Sequence, residues 1–259
     1  MRVTVLGTRG SVPVSGKEFE EFGGATSCYL VEAGAQSIIL DAGTGIIRAP
    51  RSFETPPSIL LSHLHFDHLM GLGMYGRLSM PGAETRLLAA QGKHTVLEAM
   101  RRLYSPPLWP VSPTEYAGNL VVERLPSTST IGDVLVECVE GNHPGGCSVI
   151  KLTHRGKVLV YATDYEFEPA SFERLVAFAR GVDLILFEAQ YEDAELHLYQ
   201  GFGHSSARIG LDLMKRANAG RMLLVHHDPR SDDETLRKRE RSLGRADVRF
   251  AREGEVVVL

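Results

Sequence analysis

Three imidazoles and a carboxylate crowd into the run Ser62-His63-Leu64-His65-Phe66-Asp67-His68. Neutral imidazole nitrogens with one or two carboxylate oxygens are the donor set of Zn²⁺ and similar borderline divalent metals. The spacing also has a geometric meaning. The run follows the apolar stretch Ser58-Ile59-Leu60-Leu61, which reads as a strand. In extended backbone His63 and His65 point the same way, because side chains alternate with period two. Asp67 and His68 fall where the chain turns into the helix-like pattern Leu69-Met70-Gly71-Leu72. One strand-to-helix loop can thus offer four ligands to two adjacent metal sites. The plain alternative is a polar loop with satisfied histidines. It suits a lone His better than four clustered candidates.

The pattern His63-x-His65-x-Asp67-His68 resembles the signature of the metallo-β-lactamase-fold hydrolases. The resemblance implies ligands from three later places: a His after a middle strand, an Asp farther on, and a His near the C-terminus. His143, in Glu140-Gly141-Asn142-His143-Pro144, follows an alternating run over 134–139 and meets the first. Its competitor, His154 in Thr153-His154-Arg155-Gly156-Lys157, reads as a surface residue at a hairpin tip. Asp164 closes an apolar strand, 21 residues after His143. His226 and His227 both follow Arg221-Met222-Leu223-Leu224-Val225, and alternation admits only one of them. The family places its ligand directly after the strand, which favours His226. By family correspondence, His63, His65 and His143 hold one metal. Asp67, His68 and His226 hold a second, and Asp164 bridges the two. The implied cofactors are two divalent ions, Zn²⁺ first and Mn²⁺ as the alternative, sharing a hydroxide that attacks the substrate. Asp67 then serves catalysis as well as ligation.

A further point of resemblance is Gly203-His204-Ser205-Ser206, ahead of a helical pattern. Ser205 or Ser206 can cap that helix, but the His needs another explanation. In the branch that includes the tRNA 3′-processing endonucleases (ribonuclease Z), a similar segment precedes the last metal His. Its His donates a proton to the leaving oxygen of a phosphodiester. His204 precedes His226 by 22 residues and takes that catalytic role by correspondence. Two departures shift the expected substrate. The chain continues His226-His227-Asp228-Pro229-Arg230, where those endonucleases carry Ser-Pro-Arg-Tyr-like residues. Only 40 residues separate Asp164 from His204, too few for the long Gly/Pro-rich arm that grips tRNA. A small, cyclic-nucleotide-like phosphodiester is therefore expected ahead of tRNA. Thioester or lactam hydrolysis on the same fold is one alternative. A metal-binding sensor without catalysis is another, and the filled ligand positions argue against it.

Composition is consistent with such an enzyme. A chain of 259 residues with 43% hydrophobic content can bury a large core. Its net charge of −4 lacks the basic excess of a non-specific nucleic-acid binder. Cys28, Cys138 and Cys147 are an odd, sparse set that fits buried hydrophobes in a reducing compartment. No apolar leader opens the chain and no run approaches the ~18 apolar residues of a membrane span. The cytoplasm is the expected location. The oligomeric state stays open, a homodimer included.

The elements that must position these residues follow from periodicity. Strands are expected near 2–6, 27–32, 36–40, 58–61, 85–89, 119–124, 133–140, 147–153, 157–162, 183–187, 221–225 and 247–258. Helices are expected near 68–77, 92–104, 169–179, 204–217 and 232–242. This order, with the resemblance, implies an α/β fold: an αββα sandwich of two mixed sheets flanked by helices, in one domain over 1–259. The stretch Pro126-Ser127-Thr128-Ser129-Thr130 reads as a loop between its halves. Gly7-Thr8-Arg9-Gly10-Ser11 matches no phosphate loop and reads as a tight turn. Asp41 resembles a turn residue that supports the metal loop in the family. The segment Phe22-Gly23-Gly24-Ala25-Thr26-Ser27 resembles a site-lining stretch of the phosphodiesterase branches. Trp109 reads either as a lid or a stacking surface for a base, or as ordinary packing. Arg237-Lys238-Arg239-Glu240-Arg241 reads as a solvated helix end whose charges complement the dipole.

Overall fold

The computed structural model describes residues 1–259 as two seven-stranded mixed sheets packed face to face. The first sheet starts with β1 (Arg2–Gly7), β2 (Cys28–Ala33) and β3 (Gln36–Leu40), paired antiparallel. It continues with β4 (Ser58–Leu61), β5 (Glu84–Ala89) and β6 (Asn119–Arg124), paired parallel. The second sheet has the same plan. Its antiparallel part is β7 (Thr128–Ile131), β8 (Val134–Gly141), β9 (Cys147–His154) and β10 (Lys157–Ala162). Its parallel part adds β11 (Leu184–Glu188), β12 (Arg221–Val225) and β13 (Val248–Phe250). A last strand, β14 (Val256–Val258), returns to the edge of the first sheet beside β1.

Burial explains the layering. Val3, Val5, Ile38, Leu40, Val136, Ile150, Leu159 and Leu186 meet between the sheets. The outer face of the second sheet packs on α2 (Pro169–Phe178), α3 (Ala207–Ala217) and α4 (Asp233–Leu243). The first sheet is covered by α1 (Lys93–Leu103) and the short turns near Leu72 and Leu78. Strands buried on both faces read as continuous apolar runs, as Leu184-Ile185-Leu186-Phe187 does. The expected αββα sandwich is the observed one. No helix is long and apolar enough to cross a membrane.

Several local expectations are corrected. The helix expected over 68–77 is three single 3₁₀ turns, at Phe66–His68, Leu72–Met74 and Gly76–Ser79. Gly71 is the reason: the Gly43 carbonyl sits so close that any side chain there would clash. The strand expected over 247–258 is two strands in different sheets, joined by a turn with Gly254 at φ 80°. The stretch read as a loop at 126–130 contributes strand β7. Neither Ser205 nor Ser206 caps α3. Their hydroxyls donate instead to the Tyr165 carbonyl and to Asp193.

His154 is buried rather than exposed, its Nε2 3.0 Å from Asp133 Oδ2; the hairpin tip falls on Arg155 and Gly156. Arg239 is not part of a solvated face. It donates to the carbonyls of Ala189 and Tyr191, at 2.8 and 3.0 Å, and clamps the chain after β11. Trp109 packs edge-on to Tyr104, and its Nε1 donates to Tyr116 Oη at 3.0 Å, so it is packing rather than a lid.

Candidate metal centre

The site lies where β3, β4, β8, β10, β11 and β12 end at one edge of the sandwich. Their C-terminal ends carry Asp41, His63, His143, Asp164, Glu188 and His226 respectively. Open sheets bind ligands at such strand ends. Three of these residues turn the chain sharply: Asp41, Asp164 and His226 have φ of 61°, 53° and 57°. This left-handed backbone costs non-glycine residues about 1–2 kcal/mol each, though Asp and His tolerate it better than most. It aims their side chains across the strand ends.

Five overlapping donor groups form, two of which include His204, and two of the others match the expected metal positions. His63, His65 and His143 converge, with His143 Nε2 3.0 Å from His65 Nδ1. Asp67, His68 and His226 form the other: Asp67 Oδ2 lies 3.2 Å from both His68 Nε2 and His226 Nε2. Asp164 stands between them. Its Oδ2 is 3.2 Å from His68 Nε2, and its Oδ1 is 3.3 Å from His226 Nε2 and 3.8 Å from His63 Nε2. Ligands ~2.1 Å from a tetrahedral ion stand ~3.4 Å from one another, so these separations suit shared cations.

The ring orientations agree with that fit. The Nδ1 of His68 lies 2.7 Å from Asp41 Oδ2, that of His143 2.9 Å from the Gly203 carbonyl, and that of His63 3.0 Å from Ser62 Oγ. Each of these Nε2 atoms is thereby turned inward, and those of His63 and His68 have no other partner. A second set of groups fixes the first, as metal sites require. Asp41 is central to it. Its Oδ1 accepts from the Ser62 N–H at 2.7 Å, and its Oδ2 accepts from Ser62 Oγ at 2.7 Å and Tyr161 Oη at 2.6 Å.

Electrostatics point the same way. Burial drives His63 well below its ordinary pKa and lowers those of His65 and His143, leaving neutral imidazoles. Burial also opposes charge on Asp67 and Asp164, but the neighbouring imidazoles outweigh it and hold both carboxyls well below the usual range. For His68 burial is outweighed by Asp67, Asp164 and Asp41, which raise it. Asp41, Asp67, Asp164 and Glu188 are all buried here. Four clustered carboxylates are costly without cations, and two divalent ions would match their charge.

The β-lactamase superfamily domain signature matches residues 36–227. The chain belongs to that superfamily. It is a hydrolase of the metallo-β-lactamase fold. It is similar to the probable metallo-hydrolase YhfI of Bacillus subtilis, 24% identical with 99% of each chain covered. Ribonuclease Z of Brevibacillus brevis is 26% identical, covering 90% of this chain and 87% of its own. Among solved structures, YhfI superposes with TM-score 0.73 at 20% identity, covering 99% of each chain. A diphosphatase of the PhnP family gives TM-score 0.73 at 17% identity, covering 100% of this chain and 97% of its own.

Within this superfamily fold, His204 stands beside the seven clustered side chains. Its ring stacks on His226 with centroids 5.0 Å apart, and its Nδ1 is 3.4 Å from Glu188 Oε1 and 3.8 Å from Asp164 Oδ1. Burial disfavours its charge, yet Glu188 and then Asp164 prevail and its pKa is raised to about 9. His227 points away, into a pocket between Phe22 and Phe250, where burial keeps it neutral.

Sequence reasoning passed over three contributors. Glu188 was legible in principle, as a charge closing an apolar strand. Gly10 and Ser11 were not. The turn after β1 folds back so that the Ser11 N–H donates to Asp67 Oδ2 at 2.7 Å, while Gly10 approaches the His226 ring so closely that a Cβ would lie 2.2 Å from it. Thr26, in the segment likened to a site-lining stretch, donates to the Asp67 carbonyl at 2.7 Å.

Proposed function

We propose that residues 1–259 act as one domain, a dinuclear-metal phosphodiesterase for small phosphodiesters. His63, His65 and His143 hold one cation; Asp67, His68 and His226 hold the other; Asp164 serves both. Zn²⁺ suits this imidazole-rich donor set best, with Mn²⁺ the alternative. When bound, the pair supplies Lewis acidity to a phosphoryl oxygen and acidifies a water for attack on phosphorus. The chain's own residues do the rest. Asp41 keeps the His68 proton on Nδ1. Ser11 N–H orients Asp67. Glu188 faces His204 and favours its protonated form.

The observation that carries this reading is His204: an eighth group, next to the clustered donors but outside the seven. It is placed to hand a proton to a departing alkoxide oxygen. A phosphodiester needs that help, because an alkoxide is a poor leaving group. Small substrates are favoured by the segment between β11 and α3. It spans 189–206 and contains a single 3₁₀ turn, Leu196–Leu198, leaving too little chain for a long tRNA-gripping arm. RNA cleavage is the second reading, supported by the similarity to ribonuclease Z over 90% of the chain.

His204→Ala tests the assignment. Metal content should be unchanged, and the rate on an alkyl-leaving diester should fall about 10²–10⁴-fold. The loss should be much smaller with p-nitrophenolate, which departs without a proton. Equal losses on both substrates, or loss of metal, would show that His204 is structural or a ligand.

A further inference from the structure

Beyond His204 lies a cleft of about 460 Å³, within the range of pockets that take drug-sized ligands, about 300–1,000 Å³. Phe167, Phe172, Leu196, Tyr199 and Ile209 give it an apolar, aromatic part, and its remaining lining is polar or charged. His204 lines the cleft and also stands 3.8 Å from Asp164, so it adjoins both the cleft and the clustered donors. Under the phosphodiesterase reading, on which this inference rests, the leaving oxygen sits beside His204. Its substituent must extend away from the cations, and the cleft is the space on that side.

The charges around the cleft are already matched. Arg208 Nε lies 3.0 Å from Asp193, and Asp212 lies 3.9 Å from Arg216. The Glu166 carboxylate accepts from the Gly201 and Gly203 N–H groups, at 2.8 and 2.9 Å. A leaving group carrying further phosphates would have to draw Arg208 away from Asp193. A neutral ring would find Phe167, which is 46% exposed and tilted against Phe172 with centroids 5.1 Å apart. Exposed His197 and Gln200 offer hydrogen bonds to polar atoms on such a ring.

We propose that this cleft holds the leaving alcohol, and that the alcohol is neutral, ring-bearing and of nucleoside size. In the reaction a water adds its oxygen to phosphorus, the bond from phosphorus to the leaving oxygen breaks, and one proton ends on that oxygen.

The test is the methyl ester of adenosine 5′-phosphate, which carries two primary alkoxy leaving groups of similar basicity. Adenosine in the cleft gives adenosine and methyl phosphate; the reverse orientation gives methanol and the nucleotide. Metal-loaded wild type should release adenosine predominantly. Phe167→Ala should shift the product ratio towards methanol by about tenfold, the usual worth of one stacked ring. Binding of free adenosine, followed by NMR titration, should weaken by a similar factor in the variant. Adenosine should also bind wild type more tightly than its 5′-monophosphate does. If bis-p-nitrophenyl phosphate is hydrolysed but methanol release dominates, or Phe167→Ala changes neither ratio nor binding, the cleft assignment is wrong and the phosphodiesterase reading survives. If no diester is hydrolysed, both are overturned.

Discussion

Asp41→Asn probes the support of the metal centre with almost no change of shape. The carboxylate takes four hydrogen bonds: from Ser62 N–H, Ser62 Oγ, His68 Nδ1 and Tyr161 Oη. An amide cannot serve them all. With its oxygen towards Ser62 N–H, its NH₂ faces His68 Nδ1, and the His68 proton must move to Nε2. That nitrogen is the one turned towards Asp67 and Asp164, at 3.2 Å from each, so ligation is blocked. With the amide reversed, the NH₂ faces the rigid Ser62 N–H and leaves it unpaired, at a cost of about 1–3 kcal/mol of folding stability. Removing such a supporting partner typically weakens metal affinity 10–100-fold, or ~1.4–2.7 kcal/mol. Competition with a chromogenic chelator measures the affinity, and thermal melting of metal-free protein measures the stability. Unchanged affinity at both sites together with an unchanged melting temperature would refute the reasoning.

Other substitutions separate the parts of the site. Asp164→Ala should lower occupancy of both metal positions in elemental analysis, because Asp164 faces donors of both groups; loss at one position alone would deny it the shared role. Gly10→Ala places a methyl group against the His226 ring and should cost about 1–3 kcal/mol as overpacking. It should also deplete the Asp67–His68–His226 position selectively, which spectroscopy of Co²⁺-substituted protein can resolve; two undisturbed positions would mean that His226 is seated by something else.

Much of this architecture was readable because its determinants are local. His63, His65, Asp67 and His68 announce themselves within one loop, and Asp164 and His226 each close an apolar strand. The αββα layering was implied by the family resemblance, and the order of hairpins giving way to alternating strands and helices accommodates it. Contacts made across the fold were not readable. Asp41 meets Tyr161 over 120 residues, and Gly10 meets His226 through a turn that sequence reduces to a glycine and its neighbours. The segment over 68–77 misled because Leu69, Leu72 and Leu78 have roughly helical spacing, while Gly71 must approach the Gly43 carbonyl. His154 misled in the opposite direction: a polar sequence context hid a buried imidazole paired with Asp133 in the β7–β8 turn.

The central claim, a dinuclear-metal site that hydrolyses small phosphodiesters, is tested most directly by one substrate panel. Purified protein repleted with Zn²⁺ or Mn²⁺ is assayed for kcat/KM on bis-p-nitrophenyl phosphate, cyclic nucleotides, a tRNA precursor, a thioester and a lactam. The account predicts turnover of the small diesters well above all others, abolished by chelation and restored by metal. Turnover confined to the thioester or the lactam, or cleavage of the tRNA precursor with no turnover of any small diester, would contradict it.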